Sequence, residues 1–226
     1  MAQVFMTGAT GFVGRKLVAA LLSRDHQVRA LVRSRSDSRV PAGCEIVEGS
    51  PLDGATYRNQ IAACDTFVHL VGVSHPSPAK APLFRTIDLA GAKEAVKAAR
   101  HAGVRHFIYV SVAHPAPVMK DYIAARSEAE AFIEASGLNA TILRPWYVLG
   151  PGRRWPLLLA PIYWALGVLP QTRDSAGRLG LVTLAQMVET MALAVEHPPS
   201  GIRVLEVPQI RGVSLDGNLR QVVSAR

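Results

Sequence analysis

The sequence predicts an α/β fold built on a doubly wound parallel sheet, and three observations carry that prediction. Strand-like apolar runs alternate with helix-period segments along nearly the whole chain, the order that gives a parallel sheet covered by helices on both faces. The first run, Gln3 to Met6, passes directly into Thr7-Gly8-Ala9-Thr10-Gly11-Phe12-Val13-Gly14, a glycine turn between a strand and a helix. A length of 226 residues is enough to bury one full core of this kind.

Taken in order, strands are expected near 2–7, 27–32, 44–48, 65–71, 105–111, 139–143 and 202–206. Helices are expected near 12–24, 54–63, 85–102, 121–136, 156–167 and 184–196. Phe12, Val13, Leu17, Val18, Leu21 and Leu22 give the first helix one apolar face. Gly103 and Gly137 fall where helices end and a strand begins, the usual place for a C-terminal glycine. His69, inside the run Phe67-Val68-His69-Leu70-Val71, reads as a satisfied sheet residue. Ser74 to Pro82 and Val112 to Lys120 read as surface loops at the sheet edge where substrate contacts lie, or as plain exposed connections. His75 and His114 in those loops are candidate acids or bases.

Composition removes several classes. Hydrophobic residues make up 49% and charged residues 19%, which is a globular balance. No basic leader precedes the first strand, so no signal peptide is expected. Cys44 and Cys64 show neither disulfide nor metal spacing, which points to a cytoplasmic chain with no metal site. The net charge of +8 raises nucleic-acid binding, but the cations are spread along the chain. Only Arg29, Arg33, Arg35, Arg39 and the pair Arg153-Arg154 cluster, without interleaved aromatics, so no nucleic-acid partner is expected. Trp155 to Leu169 is apolar yet too short to span a bilayer. It is expected as a helix packed on the domain or walling a substrate pocket, without stable membrane insertion, and it leaves a homodimer interface open. No G-x-S-x-G elbow is present, so a serine hydrolase is not expected.

The glycine turn carries the first chemistry. Gly8 can take the tight turn, Gly11 lets backbone approach a phosphate, and Gly14 lets the helix pack closely on the strand. The N–H groups that open that helix then face an anion. A dinucleotide pyrophosphate is expected there, against Gly8, Thr10, Gly11, Phe12 and Val13. An NAD site places a carboxylate at the end of the second strand. Here Leu31-Val32 runs into Arg33-Ser34-Arg35 with no acid before Asp37. Two guanidiniums there suit a 2′-phosphate, so NADP is expected over NAD, with Arg15 close to the same pocket. The alternative is a solvated turn in an arginine-rich chain.

Further motifs complete a pattern. Val110-Ser111 ends the fifth strand, Tyr122 is followed four residues later by a cation, and Ala140-Thr141-Ile142-Leu143-Arg144-Pro145 leads into Gly150-Pro151-Gly152. Together with Thr7 to Gly14 they resemble the short-chain dehydrogenase/reductase superfamily, in its atypical or extended NAD(P)H-binding, epimerase-like branch. The likeness covers about residues 1–210 and implies a Rossmann fold. It assigns Ser111 to orient substrate, Tyr122 to transfer a proton, and the cation to hold the nicotinamide ribose. A phenol titrates near about 10, and a cation one helical turn away favours its ionised form. The chain departs from the family by carrying Arg126 where lysine is usual. Arginine keeps the charge but cannot join a proton relay. The alternative reading makes Tyr122 an amphipathic helix residue and Arg126 a solvated charge. A second departure follows the third strand, where Glu48-Gly49-Ser50-Pro51-Leu52-Asp53 lacks the acid that family members often place at adenine. Ser50 could donate there instead, with Leu52 over the ring.

The whole chain, 1–226, is expected as a single dinucleotide-binding domain with 151–226 as a short α/β extension on the substrate side. Leu70, Val71 and Gly72 are expected to line the cofactor, and Pro145, Tyr147 and Val148 to pass the nicotinamide. Trp146 with Tyr147 shapes the pocket, or Trp146 belongs to the core. The expected activity is hydride transfer between NADP and a small carbonyl or alcohol. A nucleotide sugar is disfavoured by the short stretch after Pro151. The rival is a non-catalytic dinucleotide-binding module, a redox sensor or an assembly component.

Overall fold

The computed structural model describes residues 1–33, 40–116, 118–151 and 179–213. The strands in chain order are β1 (Gln3–Thr7), β2 (Gln27–Val32), β3 (Glu45–Glu48), β4 (Thr66–His69), β5 (His106–Val110), β6 (Ala140–Arg144), β7 (Tyr147–Leu149), β8 (Leu181–Thr183) and β9 (Ile202–Glu206). Seven of them form one parallel sheet in the order β3-β2-β1-β4-β5-β6-β9. The chain lays β1 to β3 outward in one direction and β4 to β6 in the other. The switch point therefore lies between β1 and β4, where open α/β sheets form their ligand crevice. The architecture is Rossmann-like, as the sequence predicts.

Strand alternation divides the apolar residues between two layers. On one face Phe5, Phe67, Phe107 and Tyr109 meet Tyr57 and the helices α2 (Ala90–His101) and α3 (Lys120–Ala135). Phe67 and Phe107 stack at 5.3 Å between ring centroids. On the other face Val4, Met6, Val68 and Ile108 pack on α1 (Gly14–Leu22) and α4 (Leu184–Glu196). Leu17, Val18 and Leu21 supply the buried face of α1. Burying each large side chain contributes about 1.5–3 kcal/mol. Gly103 and Gly137 take φ of +70° and +76° just after α2 and α3, in the role expected of them. A capping box starts α4: Gln186 N–H donates to Thr183 Oγ1, and Thr183 N–H to Gln186 Oε1.

Several elements differ from expectation. The helix expected over 54–63 is two 3₁₀ turns, Gly54–Thr56 and Arg58–Ile61. Asp53 Oδ1 accepts the Ala55 N–H and opens the first turn, and the wholly buried Tyr57 separates the two. The helix expected over 85–102 starts earlier, with Ala81–Leu83 and then a π-helical stretch, Phe84–Leu89, ahead of α2. The small parallel sheet of β7 and β8 and the short α5 (Val207–Gly212) add to the expected set. The helix expected over 156–167, together with Arg35, Arg39 and Arg153-Arg154, lies outside the described residues. No helix among the described residues is long and apolar enough to cross a membrane.

Candidate active site

The glycine turn closes tightly. Gly8 sits at φ +78°, and a Cβ there would lie 2.8 Å from the Leu70 carbonyl carbon. Gly11 N–H donates to Gly8 O at 3.0 Å. A Cβ on Gly14 would overlap the same Gly8 oxygen. The turn can thus be this tight only with hydrogen at these positions. Among the described residues no side chain caps α1, and its first turn carries no acid, so the positive end of the helix is suited to an anion. Thr10, Phe12 and Val13 are half-buried beside the exposed Gly11. The cradle fits a dinucleotide phosphate.

Toward the adenine end, Arg33 is exposed immediately after β2, while Arg35 and Ser34 lie outside the described residues. The register pairs Val32 with Glu48, so β3 brings one carboxylate to the same strand end. Ser50 Oγ accepts the Leu52 N–H at 3.3 Å, and Ser50 N–H donates to Thr56 Oγ1. Leu52 stands 43% exposed, an uncovered apolar side chain near the expected adenine. Leu70, Val71 and Gly72 continue β4 over the switch point, with Leu70 N–H donating to Thr7 O.

On the other side of the switch point, Ser111 directly follows β5 and is almost fully buried. Its Oγ has no hydrogen-bond partner among the described residues. An unsatisfied buried hydroxyl costs about 1–3 kcal/mol, a cost that a bound carbonyl oxygen would offset. Ser111 N–H donates to Leu143 O and Ala113 N–H to Pro145 O, which joins β5 to the Pro145 turn. Tyr122 lies in the first turn of α3, half-buried, with its ring edge-on to Phe84 at 5.0 Å. Arg126, one turn further, is buried and not solvated. Its Nη1 donates to Val110 O at 2.8 Å and to Tyr109 Oη at 3.3 Å, and its Nη2 to Asp88 Oδ1 at 2.5 Å. The guanidinium carbon lies 5.2 Å from the Tyr122 ring centroid. Burial opposes its charge, but Tyr109, Tyr122 and Asp88 together hold the guanidinium above its ordinary pKa. Burial also pushes the Asp88 carboxyl up, while Arg126 and the Val73 N–H pull it back.

Trp146 and Tyr147 meet edge to face at 5.5 Å. Trp146 packs against the α1–α4 core and half-buried Tyr147 and Val148 enter β7. His75 is exposed and bonds Ser74 Oγ at 3.0 Å. His114 Nε2 lies 3.6 Å from Glu130 Oε2. His69 is half-satisfied: Nδ1 bonds Thr7 Oγ1 at 2.9 Å, while Nε2 has no partner among the described residues. Burial, with Arg126 nearby, drives its pKa down to about 3, so it stays neutral. Among the described residues no group of three His, Cys, Asp or Glu side chains could hold a metal ion.

A family model described as NAD(P)H-binding matches residues 8–153. The chain belongs to this NAD(P)H-binding family. The chain is 32% identical to a ceramide reductase of Caulobacter vibrioides over 212 residues, covering 92% of this chain and 65% of that protein. It is 36% identical to an uncharacterised sugar epimerase of Bacillus subtilis over 156 residues, covering 63% and 71%. The chain therefore spans about two thirds of the length of these relatives. The Bordetella bronchiseptica enzyme WbmH, solved with NAD+, shares the fold with a TM-score of 0.68 at 22% identity, over 91% of this chain and 75% of that one. These likenesses place the chain in the atypical, epimerase-like part of the short-chain dehydrogenase/reductase superfamily, with a nicotinamide dinucleotide as its cofactor.

Three features of this family member escape a reading of its sequence. Asp88, wholly buried, is the carboxylate that meets Arg126. Its place between Ile87 and Leu89 in an apolar stretch is the signal that could have found it. Glu130 is buried on α3 and pairs with Arg144 at 2.5 Å, and Arg144 also reaches Glu206 at 3.3 Å. This cluster locks the ends of β6 and β9 to α3. Glu48 beside Val32 follows only from strand register.

Proposed function

We propose that this chain is an NADP-dependent reductase acting on the carbonyl of a small, largely apolar molecule. One observation carries the reading: Ser111, just past the end of β5, presents a buried hydroxyl without a partner among the described residues. Arg126 ties the preceding residue, Val110, to the helix that bears Tyr122. Ser111 Oγ–H would donate to the substrate carbonyl oxygen and orient it. Tyr122 Oη–H would give its proton to that oxygen as the bond order falls from two to one. The dinucleotide, held by its pyrophosphate in the glycine cradle, would supply the hydride for the carbonyl carbon in its reduced form, and the product would be the alcohol. Gly8, Thr10, Gly11, Phe12 and Val13 would hold the pyrophosphate, Leu70 to Gly72 the middle of the cofactor, and Pro145, Tyr147 and Val148 the nicotinamide side. Ser50 and Leu52 would meet the adenine.

Preference for NADP rests on exposed Arg33 at the end of β2, with Arg35 beside it in sequence. Glu48 is the counterweight at that site. The apolar substrate rests on the run Trp155 to Leu169 and on the name of the ceramide reductase relative. We take 1–226 as a single domain with 151–226 on the substrate side, because β9 joins the main sheet and α4 its core. A cytoplasmic setting fits two free thiols, Cys44 and Cys64. The test is NADPH oxidation by purified protein against a panel of apolar ketones and aldehydes. Turnover that disappears in Tyr122→Phe and Ser111→Ala while NADPH still binds is the expected result. Binding without turnover of any member would favour the non-catalytic module instead.

A further inference from the structure

We infer that Asp88 commits Arg126 to the protein, making the pair a positioning device for Tyr122 and the strand ends rather than a ligand of the cofactor ribose. The inference rests on the reductase reading for its turnover arm alone. Asp88 lies in the π-helical stretch Phe84–Leu89, a winding found often at functional sites. From that stretch two residues four apart meet two residues four apart on α3. Phe84 sets its ring against Tyr122 at 5.0 Å, and Asp88 sets Oδ1 against Arg126 Nη2 at 2.5 Å.

The remaining contacts show what the pair holds. Asp88 Oδ2 accepts the Val73 N–H at 3.0 Å, which fixes the segment leaving β4. Arg126 Nη1 serves Val110 O and Tyr109 Oη, which fixes the end of β5 next to Ser111. One buried ion pair thus joins the strand end expected at the cofactor, the strand end that carries Ser111, and the helix that carries Tyr122. Gly72 is part of the device, since a Cβ there would overlap Arg126 Nη2 and lie 3.0 Å from Asp88 Oδ1. A planar guanidinium can reach Asp88, Val110 O and Tyr109 Oη together, whereas an ammonium on a flexible stem is a single point of charge. This gives a physical reason for arginine at position 126.

The test compares Arg126→Met and Arg126→Lys with the native chain in NADPH titrations and in turnover of whichever carbonyl the native protein reduces. Positioning predicts that both variants bind NADPH within about threefold of the native affinity and lose about tenfold or more in kcat. Ribose contact predicts the opposite pattern. Arg126→Met would then lose about tenfold or more in NADPH affinity, and Arg126→Lys would keep both affinity and turnover. Either of those results overturns the inference. If the single variants fail to fold, the paired replacement Asp88→Leu with Arg126→Met removes both charges together, which buried pairs often tolerate. In that double variant, amide exchange at Val73 should speed up by about tenfold or more without added cofactor. Unchanged exchange at Val73 would contradict the account. If the native protein reduces no carbonyl, the reductase reading fails, while the NADPH titrations still decide the role of Arg126 and the exchange measurement still tests the Asp88 bond to Val73.

Discussion

Replacing Gly8 with alanine tests the dinucleotide cradle at its tightest point. The residue holds φ at +78°, and a Cβ would come within 2.8 Å of the Leu70 carbonyl carbon and 2.9 Å of its oxygen. A left-handed conformation costs a non-glycine residue about 1–2 kcal/mol. The Leu70 atoms are backbone and continue β4, so they cannot swing aside as a side-chain tip would, and forcing them apart costs about 1–3 kcal/mol more. The total is about 2–5 kcal/mol. For a chain of this size that corresponds to a fall in Tm of about 4–20 °C. Urea denaturation reads the stability, and fluorescence titration with NADPH reads the cradle. Both should fall together, because the same displacement moves the turn and the Leu70 segment that would line the cofactor. A Gly8→Ala protein within about 0.5 kcal/mol of native stability, with unchanged NADPH affinity, would refute the reasoning.

Other perturbations probe separate parts. Arg33→Ala should weaken NADPH binding by about tenfold, the loss of one charge-assisted phosphate contact, and leave NADH binding nearly unchanged; equal losses would remove the NADP preference. His69 and His106 are buried and both are driven down to about 3, so the unfolded chain binds more protons between about pH 3 and 6.5. Stability is therefore complete above that window and falls with acidification, by about 1.4 kcal/mol per histidine between pH 7.5 and 5.5. Urea melts across pH check this, and the slope should be shallower in His69→Gln. Glu130→Ala would leave the partly buried Arg144 with Glu206 as its remaining partner, at a cost of about 1.5–3 kcal/mol in the same assay.

The fold was legible because its signals are local. Most strands of the main sheet are short apolar runs, α1 shows one apolar face, and Gly103 and Gly137 mark helix ends with a positive φ. Three-residue strands such as β7 and β8 carry too little pattern to stand out. The 54–63 segment looked helical, but Asp53 and Tyr57 break it into two 3₁₀ turns through a cap and a buried ring. The glycine turn could be assigned its shape from sequence because close approach demands glycine. Arg126 could not be placed, since its partner Asp88 lies 38 residues away and is brought there by a π-helical winding that no periodicity announced. The meeting of Val32 and Glu48 depends on register between parallel strands, which a long crossover leaves open.

The most direct measurement is NADPH oxidation with an apolar ketone by the native protein and by Tyr122→Phe, alongside NADPH titration of both. The account predicts that the phenylalanine variant binds NADPH with native affinity and loses turnover by about a hundredfold or more, the scale of one positioned acid. Undiminished turnover in Tyr122→Phe would contradict it.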